Sequence, residues 1–221
     1  MRIGILGSGL MGGKLGMLFA RAGHEVVFSY ARREQKLKRL AKEAPGGARA
    51  GTPAEAARGA DVLLLAVHWS RVDDVLRRAG NLSGKVIVTC SLPMNARNTG
   101  LVIGHTSSGA EALAAKERRA RVVAAFGTVP SEVLPGVFEA RRRATRPSLA
   151  YCGDDHAAKG LAAELIHDVG FDPVDAGPLR IARYMEPFGL LVAQLAYEKE
   201  ASPEIAYRFL RFGRSKIAPR L

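Results

Sequence analysis

The chain has 221 residues, a formal net charge of +12 and 48% hydrophobic residues. This length allows one α/β domain with a small appendage and excludes two large domains, and the apolar content excludes a disordered chain. We expect no signal peptide, and no apolar run reaches the roughly 20 residues of a membrane span. The two cysteines, Cys90 and Cys152, are too few for a disulfide framework. A reduced, cytoplasmic protein without membrane contact is therefore predicted.

The positive charge admits nucleic acid, an anionic membrane surface or a polyanionic small molecule as a partner. Its densest run contains Arg141, Arg142, Arg143 and Arg146. No helix-turn-helix, zinc-finger or RNA-recognition signature accompanies this run, so nucleic acid is not the predicted partner. The run is either a solvated loop or a site that holds the anionic tail of a ligand.

Apolar runs alternate with amphipathic stretches from the first residue, which is typical of βα units on a parallel sheet. Strands are predicted in chain order at residues 2–6, 25–29, 48–51, 62–67, 86–90, 122–126, 149–152 and 173–175. The run at 62–67 is apolar on both faces, as in a strand covered by helices on both sides. Pro173 removes a ladder donor and so indicates an edge strand.

Capping chemistry predicts where the helices begin and end. Ser70 and Ser108 are each followed three residues later by an acidic residue, as in a capping box. The carboxylates of Asp154-Asp155 favour another helix start, and Gly170 a helix end.

The pattern changes after Gly177-Pro178. A long, mostly apolar helix is predicted from residue 179 to about 198, and Ser202-Pro203-Glu204 predicts the start of one more helix. We therefore divide the chain into a doubly wound, mostly parallel Rossmann domain at 1–178 and a short helical C-terminal segment at 179–221. Because the first of these helices is too apolar to stand alone in water, a homodimer is predicted.

The motif Gly7-Ser8-Gly9-Leu10-Met11-Gly12 follows the first strand and opens the first helix. In a dinucleotide fold, Gly7 allows the tight turn, Gly9 admits the pyrophosphate, and Gly12 lets helix and strand pack closely. The helix N-terminus then offers free N–H groups to the phosphates. The alternative is a glycine-rich turn without a ligand.

The end of the second strand selects the dinucleotide. Folds that bind NAD place a carboxylate there for the ribose 2′-hydroxyl, whereas this chain has Ser29, Arg32 and Arg33 and no acid before Glu34. A hydroxyl and guanidinium groups suit a 2′-phosphate, so NADP(H) is predicted. The alternative is that both arginines only solvate a helix start.

From the glycine loop onward the chain resembles the F-420-dependent NADP oxidoreductases, a family whose Rossmann domain also occurs in the ferric-reductase STEAP proteins. The resemblance rests on ordered pieces that cover most of the chain. Besides the glycine loop, the pieces are His24-Glu25-Val26-Val27, Ser29, Arg32-Arg33-Glu34, Val67-His68-Trp69, Ala125-Phe126-Gly127-Thr128-Val129-Pro130, Cys152-Gly153-Asp154-Asp155 and Asp175-Ala176-Gly177-Pro178-Leu179. The glycine loop is one residue shorter than in many of these reductases, and Gly127 stands where they often have His or Asn.

The resemblance implies which residues hold the ligands. For NADP(H) these are Gly7, Ser8, Gly9, Leu10, Met11, Gly12, Ser29, Arg32, Arg33, Ala66, Val67, His68 and Trp69. For the substrate or a deazaflavin they are Leu92, Pro93, Thr128, Val129 and Pro130. The second group follows strands at the carboxyl edge of the sheet, where open α/β sheets bind ligands.

The predicted activity is hydride transfer between NADP(H) and a second carrier, with coenzyme F-420 as the leading acceptor or donor. No nucleophile–base pair, paired carboxylates or metal cluster is visible, so no catalytic residue and no metal are predicted. Such transfer requires mainly aligned rings in a dry pocket. The alternatives are an NADPH-dependent reductase of a flavin, ferric chelate or other small acceptor, and a non-enzymatic NADP(H) sensor. His68 is open to three roles: a contact to the nicotinamide, a structural residue or a proton donor.

Overall fold

A computed structural model describes residues 1–197 and 202–212. In this part of the chain, eight strands form one sheet in the order β3-β2-β1-β4-β5-β6-β7-β8. The strands are β1 Arg2–Leu6, β2 Glu25–Ser29, β3 Arg49–Ala50, β4 Val62–Leu65, β5 Val86–Thr89, β6 Arg121–Ala124, β7 Ser148–Gly153 and β8 Asp172–Asp175. All eight correspond to the predicted strands, and β8, which contains Pro173, lies at the edge as predicted.

Within residues 1–197 and 202–212, eight α-helices connect and cover the strands. They are α1 Leu10–Arg21, α2 Glu34–Glu43, α3 Pro53–Arg58, α4 Val72–Ala79, α5 Gly109–Lys116, α6 Val133–Glu139, α7 His156–Val169 and α8 Ala182–Tyr197. Their apolar sides form two separate cores, because alternate residues of each strand point to opposite faces of the sheet. This is the predicted doubly wound α/β architecture.

All strand pairs are parallel except β6 and β7, which pair antiparallel through Val123 and Ala124. The chain leaves β1 toward β2 and β3, and then returns to place β4 on the other side of β1. At such a switch point the flanking loops diverge and open a crevice at the carboxyl edge. The glycine loop after β1 and the loop after β4 border this crevice.

Three of the four predicted helix signals are confirmed. Ser108 accepts the Glu111 amide of α5, Asp155 accepts the Ala158 amide of α7, and Gly170 ends α7 with φ +106°. Ser70 does not start a helix as predicted. It lies inside a short 3-10 turn, Trp69–Arg71, because the preceding imidazole of His68 accepts the Ser70 amide first.

The predicted apolar helix is α8, whereas the helix predicted from Ser202 is wrong. Residues 202–212 run without helical structure, and Tyr207 accepts the Ser148 amide at the start of β7 with an N···O distance of 2.8 Å. This long-range pairing overrides the local capping signal. The rest of the predicted C-terminal segment, at 198–201 and 213–221, lies outside the described residues. Among the helices that the structure describes, none has the length and apolarity to cross a membrane.

Candidate functional site

The glycine loop has three glycines with three different constraints. Gly7 has φ +118°, a conformation that costs a side chain energy. A Cβ on Gly12 would lie 2.0 Å from the Gly7 carbonyl oxygen, so helix and loop can approach only without a side chain. A Cβ on Gly9 would meet nothing within 4 Å. The first and third glycines therefore serve the fold, and the second borders open space.

The N-terminus of α1 has the properties of an anion site. Its N-cap is Gly9, no side chain caps it, and its first turn contains no acidic residue. The first amides of a helix have no partner within the helix, and the helix dipole adds partial positive charge. Leu10, with 71% of its surface exposed, and Met11 carry amides of this turn. The residues present thus fit the pyrophosphate of a dinucleotide.

Two serines assigned to the cofactor serve as scaffold instead. Ser8 and Ser29 are fully buried. The hydroxyl of Ser8 donates to the Ser29 carbonyl at 2.9 Å, and that of Ser29 donates to the Ile5 carbonyl at 2.7 Å. The prediction that the Ser29 hydroxyl holds a 2′-phosphate is corrected: its proton points into the fold. Both serines fix the loop against β2.

The side chains of the two arginines after β2, Arg32 and Arg33, are exposed to solvent. Arg33 is the N-cap residue of α2. Sequence reasoning missed Lys36, whose Nζ lies 3.2 Å from the Gly9 carbonyl oxygen. It sits in the first turn of the helix that follows the arginine pair, which was the available signal. Three cations therefore occur within the five residues 32–36 after β2, and Lys36 contacts the glycine loop.

Tyr30 is a second residue that sequence reasoning missed. It has φ +55°, which is unusual for a large side chain, and its carbonyl accepts the Ser8 amide. Its hydroxyl donates to Asp74 at 2.7 Å, while the Arg78 guanidinium lies 5.6 Å from its ring centroid. Burial and the bond to Asp74 raise the pKa of the phenol. Tyr30 thus ties the end of β2 to α4 at the entrance of the crevice.

The loop after β4 is in direct contact with the glycine loop. A Cβ on Gly7 would lie 2.5 Å from both the Ala66 carbonyl oxygen and the Val67 side chain. The Val67 amide donates to the Ser91 hydroxyl at 3.1 Å. The loops after β1, β4 and β5 are therefore in direct contact.

The His68 ring links two of these loops. Its Nδ1 accepts the Ser70 amide at 3.3 Å, so the proton resides on Nε2, which lies 3.0 Å from Asn98 Oδ1 and 3.3 Å from the Asn95 carbonyl. Both ring nitrogens thus have protein partners. Of the three predicted roles, this geometry favours the structural one.

Trp69 and Pro93 form a wall with the start of α5. A Cβ on Gly109 would lie 3.0 Å from Pro93 and 3.2 Å from the Trp69 ring. Glu186 of α8 accepts the amides of Gly109 and Ala110 at 2.8 and 2.9 Å. Burial raises the pKa of this carboxyl to about 7, although both amides lower it. The buried Glu186 side chain thus connects α8 to the start of α5.

The loop after β6 is less open than the predicted substrate contacts require. Thr128 is 2% exposed, and its hydroxyl lies 2.7 Å from the Tyr207 hydroxyl of the tail. Val129 and Pro130 are buried, while Leu92 is half-buried. Helix α8 crosses here so closely that a Cβ on Gly189 would lie 2.5 Å from a loop carbonyl. The C-terminal segment thus contacts Thr128, and residues 128–130 are buried in this structure, so their direct contact with a substrate stays a prediction.

The basic run is partly used within the protein. The Arg141 guanidinium lies 4.0 Å from the centroid of the Phe138 ring, and Arg146 pairs with Asp172 at 2.9 Å. Arg142 and Arg143 are exposed. Phe138 also contacts Arg21, the last residue of α1, which is the end of that helix away from the glycine loop. Two of the four arginines therefore have structural partners at a distance from the crevice.

Comparisons with known proteins agree with this geometry. Residues 2–93, which contain the glycine loop, the arginine pair and Pro93, match the family described as NADP oxidoreductase, coenzyme F420-dependent. The chain is 30% identical over 189 residues to metalloreductase STEAP3 of Rattus norvegicus. This match covers 86% of the chain but 36% of the relative, so the chain spans about a third of that protein's length.

Solved structures share the fold. A protein of Arthrobacter sp. FB24, described as a candidate F420-dependent NADP-reductase, has a TM-score of 0.83 at 24% identity, covering 96% of this chain and 100% of that one. A reductive aminase of Aspergillus terreus, in complex with NADPH and ethyl levulinate, has a TM-score of 0.64 at 18% identity. That match covers 89% of this chain and 61% of the aminase. At these identities the likeness establishes the Rossmann-type architecture.

Proposed function

We propose that this chain, whose residues 2–93 match the family of coenzyme F420-dependent NADP oxidoreductases, binds NADP(H) in the crevice and transfers a hydride between the nicotinamide and a second carrier. The observation that carries the proposal is the uncapped N-terminus of α1 beside the open side of Gly9. An anion-binding helix end, free of side chains at the switch point of the sheet, is where dinucleotide folds hold the pyrophosphate.

Three cations select the phosphorylated dinucleotide. Arg32, Arg33 and Lys36 stand at the end of β2, where an NAD-specific fold has a carboxylate. Guanidinium groups bind phosphate by charge-assisted, bidentate hydrogen bonds, and Lys36 adds a point charge. Lys36 takes over the role that the buried Ser29 cannot perform.

The protein's own part in the chemistry is binding and orientation. The nicotinamide, when bound, supplies or accepts the hydride. The contacts among the loops at Gly7, Val67 and Ser91 fix the crevice wall, and the bonded His68 holds the next loop in place. Rigid walls keep two planar rings aligned and exclude water, which is the main requirement of carrier-to-carrier transfer.

Coenzyme F-420 is the proposed second carrier, in agreement with the description of the family. The second candidate is a flavin, ferric chelate or other small acceptor, which the resemblance to a metalloreductase favours. The third is an NADP(H) sensor without turnover. Leu92, half-buried between the loops after β5 and β6, is the predicted substrate residue that remains accessible.

A panel of acceptors tests the assignment. NADPH oxidation is followed without oxygen in the presence of F-420, FMN or ferric citrate, each with the wild type and with Gly9→Ala. Turnover with F-420 that exceeds turnover with FMN at equal concentration supports the proposal. Faster reduction of FMN or ferric citrate favours the second candidate, and NADPH binding without turnover favours the sensor. Gly9→Ala is the control for binding at the glycine loop.

We further propose that two copies associate through the outer face of α8. Tyr184, Leu191 and Leu195 are 65%, 52% and 40% exposed and recur at helical spacing on one side. Phe209 and Phe212 of the tail add exposed aromatic surface. Light scattering should give a dimer at micromolar concentration and a monomer for Leu191→Asp; a monomeric wild type contradicts the dimer. The cytoplasmic location predicted from the cysteines stays a prediction.

A further inference from the structure

An open groove of about 330 Å³, here called the α1 groove, is bordered by α1, by α2 and by Pro135 of α6. Its lining residues on α1 extend from the glycine loop to Arg21, the last residue of the helix. The 12 residues of α1 correspond to a length of about 18 Å at a rise of 1.5 Å per residue. Because α1 leads back from the carboxyl edge of the sheet, the groove leads away from the loops after β4, β5 and β6. The proposed hydride transfer makes no use of it.

The walls of the α1 groove are apolar. On α1, Leu10 is 71% exposed, and Met17, about two helical turns further on, is half-buried. Leu40 of α2 and Pro135 of α6 line the other sides. Apolar side chains that border open space are covered favourably by an apolar ligand, because water is then released from both surfaces. The groove therefore suits a hydrocarbon chain.

Gly13 keeps the α1 groove open where α1 passes α2. A Cβ on Gly12 would meet a loop carbonyl oxygen at 2.0 Å, and one on Gly16 would meet the Phe28 ring at 2.4 Å, so close packing explains both glycines. A Cβ on Gly13 would instead lie 3.6 Å from Leu40, which is an ordinary van der Waals contact. Glycine inside a helix is less stable than alanine. Packing therefore does not explain Gly13, whereas an open groove does.

The charged residues that line the α1 groove are all cations, namely Lys14, Arg21 and Lys36. Arg21 pairs with Glu139 at 2.7 Å. Lys14 reaches Glu132 through one serine hydroxyl. Lys36 Nζ instead contacts a neutral partner, a carbonyl oxygen of the glycine loop, at 3.2 Å. The positive charge that a ligand can neutralise therefore lies at the end of the groove beside the glycine loop.

An apolar groove with an ammonium group at one end matches a molecule with one hydrocarbon chain and one anionic head. The volume lies at the lower end of the range for small-molecule sites. A lysine acts as a point charge, which suits a single carboxylate. We infer that the α1 groove binds the carboxylate form of a free fatty acid, with its head at Lys36 and its chain between α1 and α2.

The tail of a second copy matches the α1 groove less well. It carries the exposed aromatic residues Phe209 and Phe212, but Arg208 and Arg211 accompany them. These cations would approach the three cations of the groove, and like charges brought together across an interface disfavour binding. Charge complementarity therefore favours an anion.

The position of the head has a consequence for the nucleotide. Lys36 contacts Gly9, which borders the proposed pyrophosphate position, so a carboxylate at Lys36 and the NADP(H) phosphates exclude one another. A bound fatty acid thus inhibits NADP(H) binding by competition. This consequence rests on the proposed function, whereas binding in the groove does not.

The experiment titrates dodecanoate, below its micelle concentration, into the full chain without nucleotide and follows the heat of binding. Dodecyltrimethylammonium has the same chain with the opposite charge, and octanoate has the same head with a shorter chain. Gly13→Met fills the groove from its middle. The matched control is Gly160→Met, which makes the same change at an exposed helix glycine of α7 whose Cβ would meet nothing within 4 Å.

Dodecanoate should bind one-to-one. Octanoate should bind about tenfold more weakly or less, since each buried methylene contributes up to about fourfold in affinity. Dodecyltrimethylammonium should also bind at least about tenfold more weakly, because its head meets Lys36 with like charge. Gly13→Met should weaken dodecanoate binding by about tenfold or more, whereas Gly160→Met should stay within about twofold of the wild type. Lys36→Met, which leaves the groove open, should weaken it by about tenfold.

Equal binding of the two dodecyl compounds would show apolar adsorption, and unchanged binding in a folded Gly13→Met would place the site elsewhere. Vesicles of phosphatidylglycerol that bind the protein when dodecanoate does not would show a membrane surface. Each of these results overturns the inference. Dodecanoate should also raise the apparent Kd for NADPH in the wild type, and an unchanged Kd would contradict the position of the head at Lys36. Failure of the wild type to bind NADPH would refute the proposed function, and the dodecanoate titration would still decide the groove.

Discussion

The proposed nucleotide end and the proposed acceptor end of the crevice are built in different ways. At the nucleotide end, the turn after β1, the start of α1 and the end of β2 lie within the first 36 residues, and their backbone geometry makes the site. At the acceptor end, the loop after β6 is covered by α8 and by the tail through Tyr207. The first end is short-range in sequence, and the second depends on contacts across more than 60 residues.

This difference explains why glycines maintain the structure of one end, whereas buried hydrogen bonds maintain the structure of the other. Gly7 and Gly12 are needed because backbone approaches backbone there. The acceptor end is instead fixed by buried polar pairs, Glu186 with two amides and Tyr207 with Thr128. We expect backbone variants to break the nucleotide end and polar variants to loosen the acceptor end.

The largest effect is expected from Gly12→Ala. Its Cβ would lie 2.0 Å from a backbone oxygen, and backbone cannot move aside as a side chain can. Overpacking of this kind should lower the free energy of unfolding by about 3 kcal/mol or more. The comparison variant is Gly9→Ala, whose Cβ would meet nothing within 4 Å. Its φ of −74° is negative, but its ψ of −143° lies outside the common helical and extended regions, so alanine carries a modest backbone cost there.

Urea unfolding measures the stability of Gly12→Ala and Gly9→Ala, and NADPH titration measures their affinity for the nucleotide. Gly9→Ala should lose much less stability than Gly12→Ala and bind NADPH at least about tenfold more weakly, since a methyl group then occupies the approach to the pyrophosphate. Equal stability of the two variants would contradict the assignment of Gly12 to packing and Gly9 to the ligand.

At pH 5 Glu186 is protonated, because its pKa is about 7, so Glu186→Gln replaces one neutral acceptor of the Gly109 and Ala110 amides by another and should change stability by only about 1 kcal/mol. The variant should become more stable relative to the wild type as the pH rises. The pKa of Glu186 is raised to about 7 in the folded protein, so the wild type loses about 3 kcal/mol as the pH rises from 4.5 through 7. The variant, which does not titrate there, keeps its stability.

Glu111→Gln provides the opposite control. Its hydrogen bond from Arg183 holds the pKa of Glu111 below its usual range, so its contribution is lost on acidification and not on raising the pH. Calorimetry from pH 4 to 8 should separate the two. A constant difference between wild type and Glu186→Gln over this range would refute the role of the buried carboxylate.

Tyr207→Phe should cost about 1–2 kcal/mol, because the Ala150 amide and the Thr128 hydroxyl lose their shared partner while the ring packing stays. If the tail covers the loop after β6 as described, limited proteolysis should also cut the variant faster within 202–212. Unchanged proteolysis together with unchanged stability would show that the hydroxyl does not hold the tail.

The smallest effect is expected in the basic run. Arg142→Ala with Arg143→Ala should change stability by less than about 0.5 kcal/mol, as at ordinary surface sites. The Michaelis constant for F-420 should stay the same at low and moderate salt. A rise at low salt that shrinks as salt is added would support the alternative predicted from the sequence, a site for the anionic tail.

The sequence predicted the strands and the turn at the glycine loop well because their signals are local. All eight strands follow from apolar runs and turns, and the glycine loop follows from residues 7 to 12. The burial of Ser29 could not be predicted, because the hydroxyl's partner, Ile5, lies on the neighbouring strand. Lys36 and Tyr30 were missed because their partners, Gly9 and Asp74, are distant in sequence and are brought close only by the path of the chain after β2.

The acceptor end was predicted less well for the same physical reason. The sequence shows no sign that Tyr207 reaches Thr128. The wrong helix at residue 202 shows how a correct local signal loses to tertiary pairing with β7.

Binding of the two dinucleotides to the arginine pair tests the central claim most directly. Calorimetric titration of NADPH and NADH into the wild type should show a clear preference for NADPH. Arg32→Ala with Arg33→Ala should reduce the ratio of the two affinities by about tenfold or more, because charge-assisted bonds to the 2′-phosphate are lost and NADH has no such group. Equal losses for NADPH and NADH, or no preference in the wild type, would contradict the assignment of this crevice to NADP(H).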